Sequence, residues 1–257
     1  MDELIQVSEH DGDTFVLRQS KSVHYEAPFL YLFRGRDRAL LLDTGATTEH
    51  DTFPLRATVD KLIGDMELVV AHTHAHGDHV AGDVQFADRP RTRIVPKDVD
   101  SVRSFFGFTE WPTEIVTLDL GGRVIEIFGI PGHQSASIAV FDPWSGFLVT
   151  GDTVCRGRLY VVDYPAFQDS VERMVEFAGN RPVTQVMGCH IEMTTTPGVD
   201  YPIGATYQPD EPPLPMTVAQ LTAVRDAAAA VADQPGKPGE PAIHVFDDFI
   251  IYHIVEE

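Results

Sequence analysis

The run His74-Ala75-His76-Gly77-Asp78-His79 constrains this chain more than any other stretch, because it sets four metal-type side chains within six residues. It follows directly on Glu67-Leu68-Val69-Val70-Ala71, an apolar run that reads as a buried strand. Alternate residues of an extended segment point the same way, so His74 and His76 can hold one ion. With a turn at Gly77, Asp78 and His79 face a second position beside the first. Imidazole and carboxylate are donors that suit zinc and its first-row neighbours. Alone, the run is also compatible with a polar loop that happens to be rich in histidine. What weighs against that reading lies downstream.

Three later apolar segments end in glycine beside another metal-type residue. Gly132-His133 follows the strand-like segment 124–128 through Gly129-Ile130-Pro131, Gly151-Asp152-Thr153 follows 147–150, and Gly188-Cys189-His190 follows 183–187. Any one of these reads as a turn; together with the first run they form an ordered ligand set. Cys189 is an alternative donor to His190, but as a neighbour of the better motif residue it reads as a small buried side chain.

The bulk properties bound the function classes. At 257 residues, 43% hydrophobic and 23% charged, the chain suits one globular domain spanning 1–257. No apolar run is long enough to span a bilayer, and Met1-Asp2-Glu3-Leu4-Ile5 lacks the basic and apolar regions of a signal peptide, so no membrane partner and a cytoplasmic location are expected. The formal charge of −20 leaves no basic surplus for a nucleic-acid partner and reads as a solvated surface. Two cysteines, Cys155 and Cys189, cannot make a disulfide framework.

Strands are expected at 14–17, 29–33 and 39–42, a helix at 51–63, the histidine-delivering strand at 67–71, a short unit from Ile94-Val95 and a helix at 97–106. Hairpins are expected for 115–118 with 124–128 and for 137–141 with 147–150. An amphipathic helix follows at 167–178, with Val171, Met174, Val175 and Ala178 at helical spacing. A buried strand at 183–187, a long Pro-, Gly- and Asp-rich loop at 197–215, an alanine-rich helix at 217–232 and one or two strands within 243–255 complete the chain. Alternation of strands and helices in both halves predicts an α/β fold with mixed sheet layered by helices.

The ordered set HxHxDH, then His, Asp and His, together with Leu41-Leu42-Asp43-Thr44-Gly45 upstream, resembles the metallo-β-lactamase fold superfamily of metallo-hydrolases over most of the chain. The resemblance implies a four-layer αβ/βα sandwich with the site at one edge of its two sheets. It implies a first metal on His74, His76 and His133, a second on Asp78, His79 and His190, and Asp152 bridging both. Asp43 would orient the ligands from behind, its competing reading being a plain turn aspartate. Asp152 stands where antibiotic-hydrolysing members typically carry cysteine. His74 stands where the diiron flavoproteins depart from the pattern, and no flavin domain follows. The pattern is most similar to the glyoxalase II and lactonase-like branch, although the 67 residues after His190 leave no room for the helical C-terminal domain of glyoxalase II.

The expected function is that of a dinuclear, zinc-dependent hydrolase, with iron or manganese as alternative metals, using a metal-bridging hydroxide to cleave a small ester, thioester or lactone. Asp152 and Asp78 are the catalytic candidates, Asp78 with a secondary part as proton shuttle. No G-x-S-x-G elbow offers a serine nucleophile. Competing readings are a mononuclear iron persulfide dioxygenase-like enzyme and a non-catalytic metal-dependent binding or sensor protein. The expected partner is a small acyl substrate. Arg158 (beside Arg156), Tyr201 and Tyr207 are candidates to bind it, weighed against surface ion pairing and packing. His72 reads as structural, His10, His24 and His50 have no visible partner, and His244 and His253 read as packing residues. Helix 217–232 reads as a cover for the sheet, with a homo-oligomer contact as the alternative.

Overall fold

The computed structural model describes residues 4–255. Met1, Asp2 and Glu3, the start of the N-terminal stretch read above, and Glu256 and Glu257 lie outside the described residues.

Strands β1 (Ile5–Glu9), β2 (Thr14–Gln19), β3 (Phe29–Arg34), β4 (Arg38–Leu42), β5 (Glu67–Ala71) and β6 (Thr92–Ile94) form a six-stranded sheet in chain order. The first four pair antiparallel, β2 and β3 across the longer loop 20–28. From β4 onward the pairing is parallel, because helix α1 (Leu55–Ile63) carries the chain back across the sheet before β5. Between β5 and β6 lie the four-residue helix α2 (Gly77–Val80) and a 3-10 segment, Ala81–Phe86. After helix α3 (Val99–Phe106), strands β7 (Val116–Asp119), β8 (Val124–Gly129), β9 (Ile138–Asp142) and β10 (Phe147–Gly151) run as a meander, the two expected hairpins. Strand β11 (Arg158–Val161) and helix α4 (Tyr164–Gly179) precede β12 (Gln185–Gly188), which adds parallel to β10 and completes a five-stranded sheet ordered β12-β10-β9-β8-β7. Helix α5 (Val218–Ala230), capped by a Thr217–Gln220 capping box, leads to β13 (Ala242–Val245) and β14 (Ile250–His253). These last two join β11 in a small sheet ordered β11-β14-β13.

Period-two alternation sorts the apolar side chains into three cores and thereby into four layers. Leu30, Leu32, Leu41, Leu68 and Val70 meet Leu55, Val59 and Ile63 of α1 on the outer face of the first sheet. Tyr31, Phe33, Leu40, Leu42 and Val69 point the other way, against Ile125, Ile127, Ile138, Val140 and Val149 of the second sheet. Phe128, Phe141, Leu148 and Val186 on the far face of that sheet pack on Phe167, Val171 and Met174 of α4 and Leu221 and Val224 of α5. The arrangement is the expected αβ/βα sandwich. No helix among the described residues is long and apolar enough to cross a membrane.

Four local differences from the sequence reading have physical causes. Helix α1 begins at Leu55 instead of residue 51, behind Pro54 at its N-cap, where an imino nitrogen leaves no amide unsatisfied. Strand β1 shows no alternation, since four of its five residues are exposed. Strand β11 was hidden by its two polar neighbours Arg156 and Arg158. Helix α2 and the 3-10 segment hide inside a motif dominated by metal-type residues.

At the end of the sandwich away from the histidines, one buried guanidinium pins the two sheets together. Arg123 is fully buried and donates to both oxygens of the equally buried Asp142, at 2.9 and 2.6 Å, at the end of β9. It also donates to Thr14 Oγ1 and to the carbonyls of Asp13 and Arg34 in the first sheet. Removing one partner strands the other charge without water. Arg123→Met should lower the unfolding free energy by about 3–5 kcal/mol, and adding Asp142→Leu should restore much of it. Urea unfolding checks this; a single variant within about 1 kcal/mol of wild type would show that the clamp is dispensable.

Candidate metal centre

Five strand ends meet at the opposite edge of the sandwich. β4 ends in Asp43, β5 in His72-Thr73-His74, β8 leads to His133, β10 ends at Asp152 and β12 at Cys189-His190. The edges are stitched by backbone bonds across the sheets: Phe29 N donates to Cys189 O (2.8 Å) and Ile138 N to Thr73 O (2.9 Å). Gly151 turns the chain at the end of β10 with φ 56°, and a Cβ there would stand 2.8 Å from Thr73 Cβ. Glycine is thus required both by the left-handed backbone and by the closeness of the two strand ends.

The ligand nitrogens and oxygens converge in two groups. In the first, His74 Nε2 lies 3.0 Å from His76 Nδ1, and His133 Nε2 lies 3.3 and 3.0 Å from those two atoms. In the second, Asp78 Oδ2 lies 3.1 Å from His79 Nε2 and 3.2 Å from His190 Nε2, and the two imidazole nitrogens are 3.3 Å apart. Asp152 Oδ2 faces both groups, at 3.5 and 3.4 Å from His79 and His190 and at 3.8 and 3.9 Å from His74 and His133. Donors held 2.0–2.1 Å from a tetrahedral ion sit about 3.3 Å from one another, which is the spacing of both groups. The other oxygen of Asp152, Oδ1, is buried without a hydrogen-bond partner. Both observations fit a pair of divalent ions.

The atoms behind the ligands fix which nitrogen faces inward. His79 Nδ1 lies 2.9 Å from Asp43 Oδ2, His133 Nδ1 lies 2.7 Å from the Tyr160 carbonyl, and His190 Nδ1 lies 3.2 Å from the Glu26 carbonyl. Each of those acceptors takes the Nδ1 proton and leaves the Nε2 lone pair for an ion. For His74 the arrangement has one more link: the Thr73 hydroxyl donates to Asp43 Oδ2 (2.8 Å), so its lone pair is free for the Nδ1 proton of His74 at 3.2 Å. Asp43 also accepts the Thr73 amide (2.7 Å) and the Cys189 thiol (3.4 Å). It is fully buried and in the left-handed region, φ 66°.

Burial and mutual repulsion divide the histidines. Burial, reinforced by the neighbouring His79, holds His74 well below the usual imidazole range, and burial likewise lowers His133. For His190 burial acts downward too, but Asp152 and Asp78 outweigh it and raise the group to about 10. His79 is raised in the same way, by Asp152 and Asp43 against burial. Burial pushes Asp152 up, and His190, His79 and His74 more than reverse this, holding it ionised.

The ligands open on a cleft of about 350 Å³ lined by His76, Asp78, His133, Asp152 and His190 together with Glu26, Arg158, Tyr160, Val162, Glu192 and Ile254. Arg158 reaches the cleft, but its guanidinium is ion-paired with Glu192 (2.7 Å) and Asp200 (2.5 Å) and donates to the Tyr201 carbonyl. Neither tyrosine candidate lines the cleft. The Tyr201 phenol accepts the Asp210 amide at 2.6 Å, and Tyr207, 79% exposed, lies on a separate surface hollow with Arg18 and Glu211. His72 is buried against Asp83 (2.8 Å), and His253 stacks on Tyr164. Glu26, Tyr160 and Glu192 went unrecognised in the sequence, since each is brought to the cleft by pairing that no local pattern encodes. Thr73 could have been found, as the residue at the very end of the histidine-delivering strand.

A family model described as the metallo-beta-lactamase superfamily matches residues 27–190. Hydroxyacylglutathione hydrolases are among the similar curated proteins. One from Synechococcus sp. (strain JA-2-3B'a(2-13)) is 32% identical over 118 residues, covering 45% of this chain and 46% of the relative. Another, from Synechococcus sp. (strain JA-3-3Ab), is 26% identical over 199 residues, covering 73% of each chain. The match thus spans about half the length of the first relative. Among solved structures, the metallo-beta-lactamase FIM-1 from Pseudomonas aeruginosa in its mono-zinc form aligns at TM-score 0.62 with 15% identity, over 91% of this chain and 98% of that one. TMB-1 aligns at TM-score 0.61 with 15% identity, over 90% and 99%. Both likenesses concern the fold.

Two outcomes follow from this geometry. Asp152 with Asp78 and Asp43 favours the protonated forms of His190 and His79 in the metal-free protein, and only their neutral forms are ligands, so metal uptake should release protons and tighten as pH rises. An indicator dye in weak buffer reads the release; metal uptake with no proton release and no pH dependence would contradict it. Thr73→Val should weaken metal binding by about 10–100-fold and let the His74 proton leave Nδ1, with Thr73→Ser restoring both. Metal titration and ¹⁵N imidazole shifts measure the two effects, and unchanged shifts would remove Thr73 from the array.

Proposed function

The chain belongs to the metallo-beta-lactamase superfamily, and within it we propose a dinuclear metal-dependent hydrolase of small esters, thioesters or lactones. The observation that supports this most is Asp152 Oδ2, one carboxylate oxygen standing 3.4–3.9 Å from donors of both ligand groups. His74, His76 and His133 would hold one ion, Asp78, His79 and His190 the other, and Asp152 both. When bound, such ions supply Lewis acidity and a water acidified from about 15.7 to about 7, hence a nucleophile near neutral pH. Zinc suits the donor set, and iron or manganese would be accepted by the same side chains.

The protein's own part is positioning. Asp43, Thr73 and the carbonyls of Tyr160 and Glu26 keep four imidazoles in the tautomer whose Nε2 faces inward. An acyl substrate entering the cleft would meet the ligand groups on one side and Tyr160, Val162 and Ile254 on the other. Asp78 borders the cleft, where its ionised carboxylate would take the proton of the attacking water and pass it to the departing thiolate or alkoxide. The names of the hydroxyacylglutathione hydrolase relatives favour a thioester among the acyl classes.

Elemental analysis of the isolated protein, paired with thioester, lactone and phosphodiester substrates, tests the reading. Two ions per chain, hydrolysis of an acyl substrate, its loss on chelation and its abolition in His76→Ala and Asp152→Ala with lowered metal content are the expected results. One iron per chain with oxygen uptake, or wild-type turnover in those variants, would overturn it.

A further inference from the structure

We propose that this cleft selects acyl substrates whose leaving group is neutral or cationic over anionic ones, with Glu26 as the residue that sets the preference; the inference rests on the hydrolase reading above. Glu26 and Glu192 both stand on the cleft wall beside His76 and His190. The one guanidinium on that wall, Arg158, has its terminal nitrogens engaged by Glu192, Asp200 and the Tyr201 carbonyl and its Nε buried, so its charge is already balanced before a substrate carboxylate arrives. Glu26 and Glu192 on the wall are thus set against one cation that Glu192 and Asp200 already balance. Among the described residues no Lys or Arg pairs with Glu26, whose carboxylate neighbours are the Tyr25 hydroxyl at 3.1 Å and His24 Nδ1 at 3.5 Å. Lys21 lines an adjoining hollow that shares Glu26, Arg158 and Glu192 with the cleft, but it is not on the cleft wall.

The position of Glu26 is built. Its carbonyl holds the Nδ1 proton of His190, and the next residue, buried Ala27, takes φ 39°, a conformation that a non-glycine residue adopts only under constraint. The backbone that presents Glu26 is therefore tied to a metal ligand. Charges on the rim of a site act on encounter and on the choice between ligands, largely by opposing the wrong sign. Glutathione with its thiol acylated bears two carboxylates and one ammonium, a net anion. Its thioesters meet this wall with the unfavourable sign, although the similar curated proteins are named for that carrier.

The test uses the metal-loaded full chain and three thioesters of one hydroxyacyl group, on thiocholine (cationic), N-acetylcysteamine (neutral) and glutathione (anionic). The expected order of kcat/KM is thiocholine at or above N-acetylcysteamine, with glutathione about tenfold lower. The gap should lie in KM and narrow as ionic strength approaches about 1 M. Glu26→Gln should narrow it further and Glu26→Lys should reverse it, whereas a purely structural residue would shift kcat for all three alike. A wild-type preference for the glutathione thioester, or an order that Glu26→Lys leaves intact, overturns the inference and leaves the hydrolase reading standing. Hydrolysis of none of the three overturns the inference, and the hydrolase reading falls with it if ester and lactone substrates are untouched as well.

Discussion

The carboxylate of Asp43 is the interaction on which the centre depends. It is fully buried, yet four groups reach it: the amide and hydroxyl of Thr73, Nδ1 of His79 and the thiol of Cys189. These come from the ends of β5 and β12 and from α2, while Asp43 itself ends β4. One acceptor therefore decides where three pieces of chain stop relative to one another. A carboxylate without these donors would be prohibitively costly in this place, and the donors without it would lose their direction. The left-handed backbone at Asp43, of order 1–3 kcal/mol in strain, is held by the same bonds.

The two ends of the sandwich solve opposite problems. Around Arg123 and Asp142 every polar atom is paired within the protein, and the sheets are closed on one another. At the histidine end, the nitrogens of His74, His76 and His133 face one another at 3.0–3.3 Å with no protein donor between them, and one oxygen of Asp152 has no partner. Such an arrangement is unfavourable as it stands and favourable around cations. The polar groups that cations would satisfy lie at one edge of the fold, and the Arg123–Asp142 clamp at the other.

Much of this was legible in the sequence because it is local. The strand–glycine–ligand pattern at Gly132-His133, Gly151-Asp152 and Gly188-Cys189-His190 sits within a few residues each time, and the short apolar runs of β3, β5 and β8 to β10 marked the strands. The parts that went unread are those in which distant segments decide. Arg158 looks like a free cation in sequence, but Glu192 and Asp200 reach it from beyond β12. Tyr201 and Tyr207 sit in a loop that follows the last ligand closely in sequence, but the loop turns its phenols elsewhere. Glu26 lies in a segment with no periodicity, and what ties it to the site is its carbonyl meeting His190.

The small third sheet gives the molecule an order of assembly. The carbonyl of Tyr160 that directs His133 belongs to β11, and β11 pairs with β14, register Tyr160 to Tyr252. Ile254, just past β14, donates its amide to Val161 and lines the cleft. One ligand of the first group is thus oriented by chain that is synthesised more than a hundred residues after it. On the ribosome, all the candidate ligands emerge before β14, the strand that supports β11 and with it the Tyr160 carbonyl. The orientation of His133 is therefore completed only after the last of the ligands has been made.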